Sequence, residues 1–182
     1  MIGRATLATG LLAATFALGL LPAFGQVNFD FMPDGGRGLL ARLVGDRSSV
    51  LTEIAGARRD LVGWQDYLAG QGDLSDTERS TLAGYLSVNF PLPEGVLQAG
   101  DDLFAALPPD GKDLAIGNCQ TCHSIFSGYL MQDRDSQGWR SIFLSPFHRE
   151  LAMTEQERAT FVLYSAANMP LEFEAVPPEL RF

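Results

Sequence analysis

Apolar residues run almost unbroken from Ala5 to Leu21, and apolar positions at regular helical spacing begin only after a polar, glycine-rich break that ends near residue 37; Arg4 is the only charged residue before Asp30. The run closes on the small-residue string Pro22-Ala23-Phe24-Gly25-Gln26. A single positive charge, an apolar core and a small-residue end are the marks of a secretory signal peptide over residues 1–25, cut after Gly25. The run is also close to the roughly 20 apolar residues of a membrane helix, so an uncleaved N-terminal anchor is the alternative. Either reading puts the rest of the chain outside the cytoplasm. Residues 26–37 hold Pro33 and the Gly35-Gly36 pair, which break helices, and they read as a linker.

Further on, apolar positions recur at helical spacing and the pattern predicts an all-α fold. Leu40, Leu43 and Val44 share one helix face. Ser48 or Ser49 caps a second expected helix that carries Leu51, Ile54, Ala55, Leu61 and Trp64, with Arg58, Arg59 and Asp60 on its outer face. Ser75 and Glu78 form a capping box that opens a helix through Val88, stopped by Pro91 and Pro93. Residues 94–110 read as a connector. A helix from Asp110 or Gly111 runs into Cys119, a stretch of weak pattern covers 124–135, and a helix over Gln137–Leu144 carries Trp139, Ile142 and Phe143. Thr154 and Glu157 form a second capping box, opening a helix through about Ala167 before Pro170.

The two capping-box helices resemble each other. Residues 75–92 align without gaps on 154–171. Glu78/Glu157, Arg79/Arg158, Thr81/Thr160, Tyr85/Tyr164, Asn89/Asn168, Pro91/Pro170 and Leu92/Leu171 are identical. Trp64 and Trp139 precede the two boxes by similar distances. Residues 38–98 therefore read as a helical half that is a degenerate repeat of residues 99–182. Convergent capping and packing is the competing explanation.

Charge narrows the partners. The chain of 182 residues has 13 Lys plus Arg against 22 Asp plus Glu, a net charge of −9. Nucleic-acid binding has no support, since there is no basic stripe and no recognised motif. An acidic surface suits partners with basic patches.

The chemistry lies in Cys119-Gln120-Thr121-Cys122-His123, which holds both cysteines of the chain. C-x-x-C-H is the attachment string of a c-type haem. Two thiols add across the two vinyl groups of the porphyrin, and the next residue offers an imidazole to the iron. On a helix, positions i, i+3 and i+4 share a face, so all three can address one flat ligand. A thiol redox pair expects a βαβ neighbourhood, and a structural zinc site expects four ligands; neither fits well. A short disulfide or a chance match is the remaining alternative. There is no G-x-S-x-G, H-E-x-x-H or Gly-rich phosphate loop.

Residues 107–124 (L-P-P-D-G-K-D-L-A-I-G-N-C-Q-T-C-H-S), Gly138-Trp139 and residues 154–164 together resemble a class I c-type cytochrome. Within that class they are most similar to small periplasmic mono-haem subunits of dehydrogenases, of the sulfite dehydrogenase type. The resemblance covers residues 107–170 and leaves 38–106 unmatched. It implies a cytochrome c-like helical domain with one covalent haem c held by Cys119, Cys122 and His123. It also implies an N-terminal helix crossing a C-terminal one near Tyr164, and a haem cleft walled by Ile116, Ile125, Phe126, Trp139, Ile142, Phe143 and Phe161.

The far side of the iron is less determined. Class I cytochromes commonly place a methionine there. Met153 stands just before the Thr154 cap, where a hydrophobic staple is the competing role. Met169 precedes Pro170 but follows the last helix, and its repeat counterpart is Phe90. Met131 lies too near His123 in the chain. His148 sits between the Trp139 helix and the last helix, and leads the candidates. The function expected is single-electron transfer in the periplasm, from a dehydrogenase to a terminal acceptor. The alternative is a haem enzyme or sensor with an open sixth position.

Overall fold

The computed structural model describes residues 28–97, 103–120 and 122–182. The expected leader lies outside them. All regular structure among the described residues is helical, and no helix there is long and apolar enough to cross a membrane. The first half contains α1 (Gly36–Val44), α2 (Ser48–Gly56), α3 (Leu61–Ala69) and α4 (Asp76–Asn89). Two single-turn helices, α5 (Glu94–Leu97) and α6 (Leu103–Ala106), lead to the second half. That half contains α7 (Gly111–Cys119), α8 (Ser136–Ser141), α9 (Pro146–Arg149) and α10 (Glu155–Asn168).

Local chemistry explains most of these boundaries. Both capping boxes form: Ser75 and Thr154 accept from the N–H of Glu78 and Glu157, whose carboxylates reach back to the cap N–H. Asp110 caps α7 in the same reciprocal way with Asp113. The single helix expected from Ser48 through Trp64 is instead two. Asp60 is an N-cap whose carboxylate accepts from Gly63 N–H, so a new helix starts there and residues 57–60 lie outside both helices. Arg59 consequently lies over the Trp64 and Tyr67 rings, with its guanidinium carbon 5.1 and 4.2 Å from their centroids, rather than on an outer face.

The two halves follow one plan. Residue n of the first half matches residue n+75 through Trp64/Trp139 and n+79 from Ser75/Thr154. Asp60 and Asp135 cap α3 and α8 by accepting from Gly63 and Gly138, and Arg59 and Arg134 stack on Trp64 and Trp139. Leu92 N–H donates to Ala55 O at 3.0 Å, and Leu171 N–H donates to Leu130 O at 2.8 Å. Gly36 lets α1 approach α4 so closely that a Cβ would lie 2.2 Å from Tyr85; Gly111 does the same for α7 against Tyr164, at 2.0 Å.

The helices α4 and α10 pair across the centre. Asn89 Nδ2 donates to Thr160 Oγ1 at 2.9 Å, and Asn168 Nδ2 donates to Thr81 Oγ1 at 2.8 Å. The tyrosines strap the halves reciprocally: Tyr85 donates to Pro108 O and Tyr164 to Pro33 O, both at 2.8 Å. Burial pushes both phenol pKa values upward, so they remain donors.

The expected linker and domain boundary are corrected by this packing. Phe29 and Met32, from the segment read as a linker, are buried in the core of the second half. Phe104 and Leu107, from the segment assigned to the second half, pack in the core of the first. Each arm precedes the first helix of its own half and inserts into the other. The cause is apolar content: Phe and Leu or Met side chains next to helix-breaking prolines bury themselves on the nearest apolar surface. A cut at residues 98/99 therefore does not separate two cores.

Candidate functional site

The second half encloses a cavity of about 430 Å³, within the range of small-molecule and cofactor sites. The helix α7 delivers Cys119 to it from its last residue. Cys122 and His123 follow on its rim, both exposed. Trp139, Phe143, Phe161 and Tyr129 form the inner wall and pack on one another with ring centroids 5.3–5.8 Å apart. The opposite side is built by residues 142–153, which contribute Ile142, Phe147, His148, Leu151 and Met153.

His123 and His148 meet in a T-shaped contact, with ring centroids 6.1 Å apart and planes at 78°. Metal–imidazole bonds run about 2.0–2.1 Å, so two imidazoles on opposite sides of one metal place their centroids about 6 Å apart. His148 Nδ1 lies 3.3 Å from Ile142 O and 3.2 Å from Ser145 Oγ. His123 Nδ1 lies 3.2 Å from Ser124 O. A carbonyl can only accept, so in both contacts Nδ1 is the donor and Nε2 is the nitrogen left outside them.

The helical turn after His123 is a π-helix, Phe126–Leu130, a form that often marks functional positions. Within it, Gly128 makes room for the imidazole: a Cβ there would lie 2.3 Å from His123 Cε1 and Nδ1. The same position of the first half is Glu53, and the positions of Cys119, Cys122 and His123 are Val44, Arg47 and Ser48. The glycine is thus tied to the histidine and not to the shared plan. The four extra residues of the second half fall between Trp139 and Thr154, in the segment that carries His148.

The residues present fit a c-type haem. Two thiols, two imidazoles and a large apolar wall line one cavity. Trp139 Nε1 is buried without a hydrogen-bond partner. Trp64 Nε1 is in the same state in the other half, so this feature belongs to the common plan and does not mark the ligand. Burial pushes the Cys119 thiol up to about 12, the opposite of the lowered value a redox C-x-x-C nucleophile needs. No group of three or more His, Cys, Asp or Glu able to hold a metal ion occurs among the described residues, which weighs against zinc.

Of the distal candidates, His148 and Met153 line the cavity, whereas Met169 and Met131 do not. Met169 is the C-cap of α10 and is buried in the core, as Phe90 is in the first half. Of the expected walls, Trp139, Ile142, Phe143 and Phe161 line the cavity. Ile125 is in the core, and Ile116 and Phe126 pack on its outside. Sequence reasoning missed Tyr129, Gly128, Arg134 and Phe147. The motif Arg-Asp-x-x-Gly-Trp at 59–64 and 134–139 was the signal for Arg134; the others had none. No protein-family model, curated protein or solved structure matches the chain.

Proposed function

We propose that the chain is an exported mono-haem c-type cytochrome that carries single electrons, as acceptor or subunit of a periplasmic dehydrogenase, and passes them to a terminal acceptor. The observation that carries this reading is that His123 and His148, with ring centroids 6.1 Å apart, line one apolar cavity together with both cysteines. Cys119 and Cys122 would hold the haem covalently, and His123 and His148 would offer their imidazoles to its iron. The bound haem supplies one-electron redox chemistry. The protein's own part is to fix both Nε2 atoms through their carbonyl-bound Nδ1 partners and to line the cavity with aromatic rings that exclude water.

The haem enzyme or sensor with an open sixth position is disfavoured, because both His148 and Met153 reach the cavity. Expression with a haem-attachment system tests the reading. Covalent haem on a denaturing gel and a low-spin ferric spectrum without a sulfur-to-iron band are expected. His148→Ala should turn that spectrum high-spin and open it to cyanide. Absence of covalent haem refutes the cytochrome; a high-spin wild type that binds carbon monoxide freely makes the enzyme or sensor the better reading.

A further inference from the structure

We infer that Arg158 is a positioning residue for the distal side of the cavity: it clasps the segment that carries His148 against α10. Its Nη2 donates to Arg149 O at 2.9 Å and to Leu151 O at 3.3 Å, and its Nε donates to Met153 O at 3.2 Å. Its guanidinium carbon also lies 5.0 Å from the Phe143 ring centroid. One side chain therefore holds the chain on both sides of His148, at Phe143 before it and at three carbonyls after it.

The segment needs such a hold. Its helix α9 is a single turn, and Leu144 and Phe147 beside it are 78% and 88% exposed. Its backbone hydrogen bonds outside the helices are internal: Ser145 to Ile142, Arg149 to Ser145, Leu151 to His148 and Met153 to Leu151. Apolar packing of Leu151 and Met153 is its other anchor. The three carbonyls are reached from two nitrogens of one rigid guanidinium, Nε and Nη2, whereas an ammonium carries all its donors on a single nitrogen.

The first half contains the matched control. Arg79 occupies the same place on α4 and donates to Leu74 O at 3.3 Å, the counterpart of Met153 O. Its other Nη group pairs with Asp76 and its Nε has no partner. The shared arginine is thus part of the common plan. The added residues of the second half have drawn it onto two further carbonyls, those of Arg149 and Leu151.

The inference rests on the proposed cytochrome reading, and the experiment separates the two. Holoprotein is prepared as wild type, Arg158→Ala, Arg158→Lys and Arg79→Ala, and ferric spin state, cyanide affinity and thermal midpoint are measured. Loss of the clasp should raise the high-spin fraction of Arg158→Ala and tighten cyanide binding about tenfold, since the open form no longer has to be reached against the clasp. Arg158→Lys should fall between it and wild type. Arg79→Ala should lose thermal stability but keep the wild-type spectrum. If Arg158→Ala does not fold, the cyanide affinity of Arg158→Lys decides. Haem-bearing Arg158 variants with wild-type spin state and cyanide affinity overturn the inference alone, as does an equal change in Arg79→Ala. A wild type without covalent haem overturns the proposed function and this inference with it.

Discussion

Gly128→Ala places one methyl group where the structure has room for none. The new Cβ would lie 2.3 Å from His123 Cε1 and Nδ1, and ordinary van der Waals contact begins at 3.4 Å, so the ring must retreat by about 1.1 Å. The backbone is poorly placed to yield instead. Gly128 N–H donates to Ser124 O at 3.0 Å, and the next two residues, Tyr129 and Leu130, are fully buried. Overpacking of this kind costs about 1–3 kcal/mol. A displacement of about 1 Å is also enough to spoil a preorganised ligand site. The variant should still attach haem, because both thiols are untouched. Its ferric spectrum should shift toward high-spin, and its thermal midpoint should fall by about 2–4 °C per kcal/mol. Haem staining, optical spectroscopy and thermal melting read the three outcomes. A Gly128→Ala holoprotein with the wild-type spectrum and midpoint would refute the role given to this glycine.

Under the proposed ligation by His148, Met153→Leu should leave the low-spin ferric spectrum unchanged; conversion to high-spin would show that the thioether is the ligand. Asn89→Ala and Asn168→Ala each remove a buried donor shared between α4 and α10. Each should cost about 1–3 kcal/mol in chemical denaturation, and a large loss in only one of them would refute the equivalence of the two bonds. Glu78 has its pKa lowered by the Ser75 backbone N–H and then by Arg42. A folded value below the unfolded one gives stability that is present above pH 4.5 and is lost as pH falls below it. Glu78→Gln should therefore lose less stability on acidification than wild type, and parallel pH profiles of the two proteins would count against this.

The helices were legible where the chain announces them chemically. Ser75, Asp110 and Thr154 with their acidic partners three residues on mark three helix starts, and Pro91 and Pro170 mark two ends. The thiol and imidazole side of the site was legible from the C-x-x-C-H string itself, but not from one helix face as expected: α7 ends at Cys119, and Cys122 and His123 lie beyond it. His148 was harder, because a residue 25 positions past His123 in a short irregular segment has no periodicity to place it. Gly128 and Arg158 were illegible in their roles. One acts through the space it leaves, and the other through backbone carbonyls, which every residue type carries. The break at Asp60 was missed because Leu51 to Trp64 keeps a helical spacing across it; a capping aspartate within a helical pattern outweighs that spacing only once Gly63 N–H is free to reach it. The exchange of Phe29 and Met32 against Phe104 and Leu107 was also hidden, since composition shows that a side chain will be buried but not in which core.

That exchange has a bearing on how such a chain can be taken apart. Three kinds of strap that cross between the halves have a counterpart running the other way: arm into core, tyrosine to proline carbonyl, asparagine to threonine. Two copies of a single half could close the same set of contacts with no chain joining them. The reciprocity is that of a two-fold dimer written into one polypeptide, and the covalent connection lets one half carry Val44, Arg47 and Ser48 where the other has Cys119, Cys122 and His123 while it still completes its neighbour's core. Excising the half that holds Cys119, Cys122 and His123 would remove Phe29 and Met32 from its core and leave Phe104 and Leu107 without theirs.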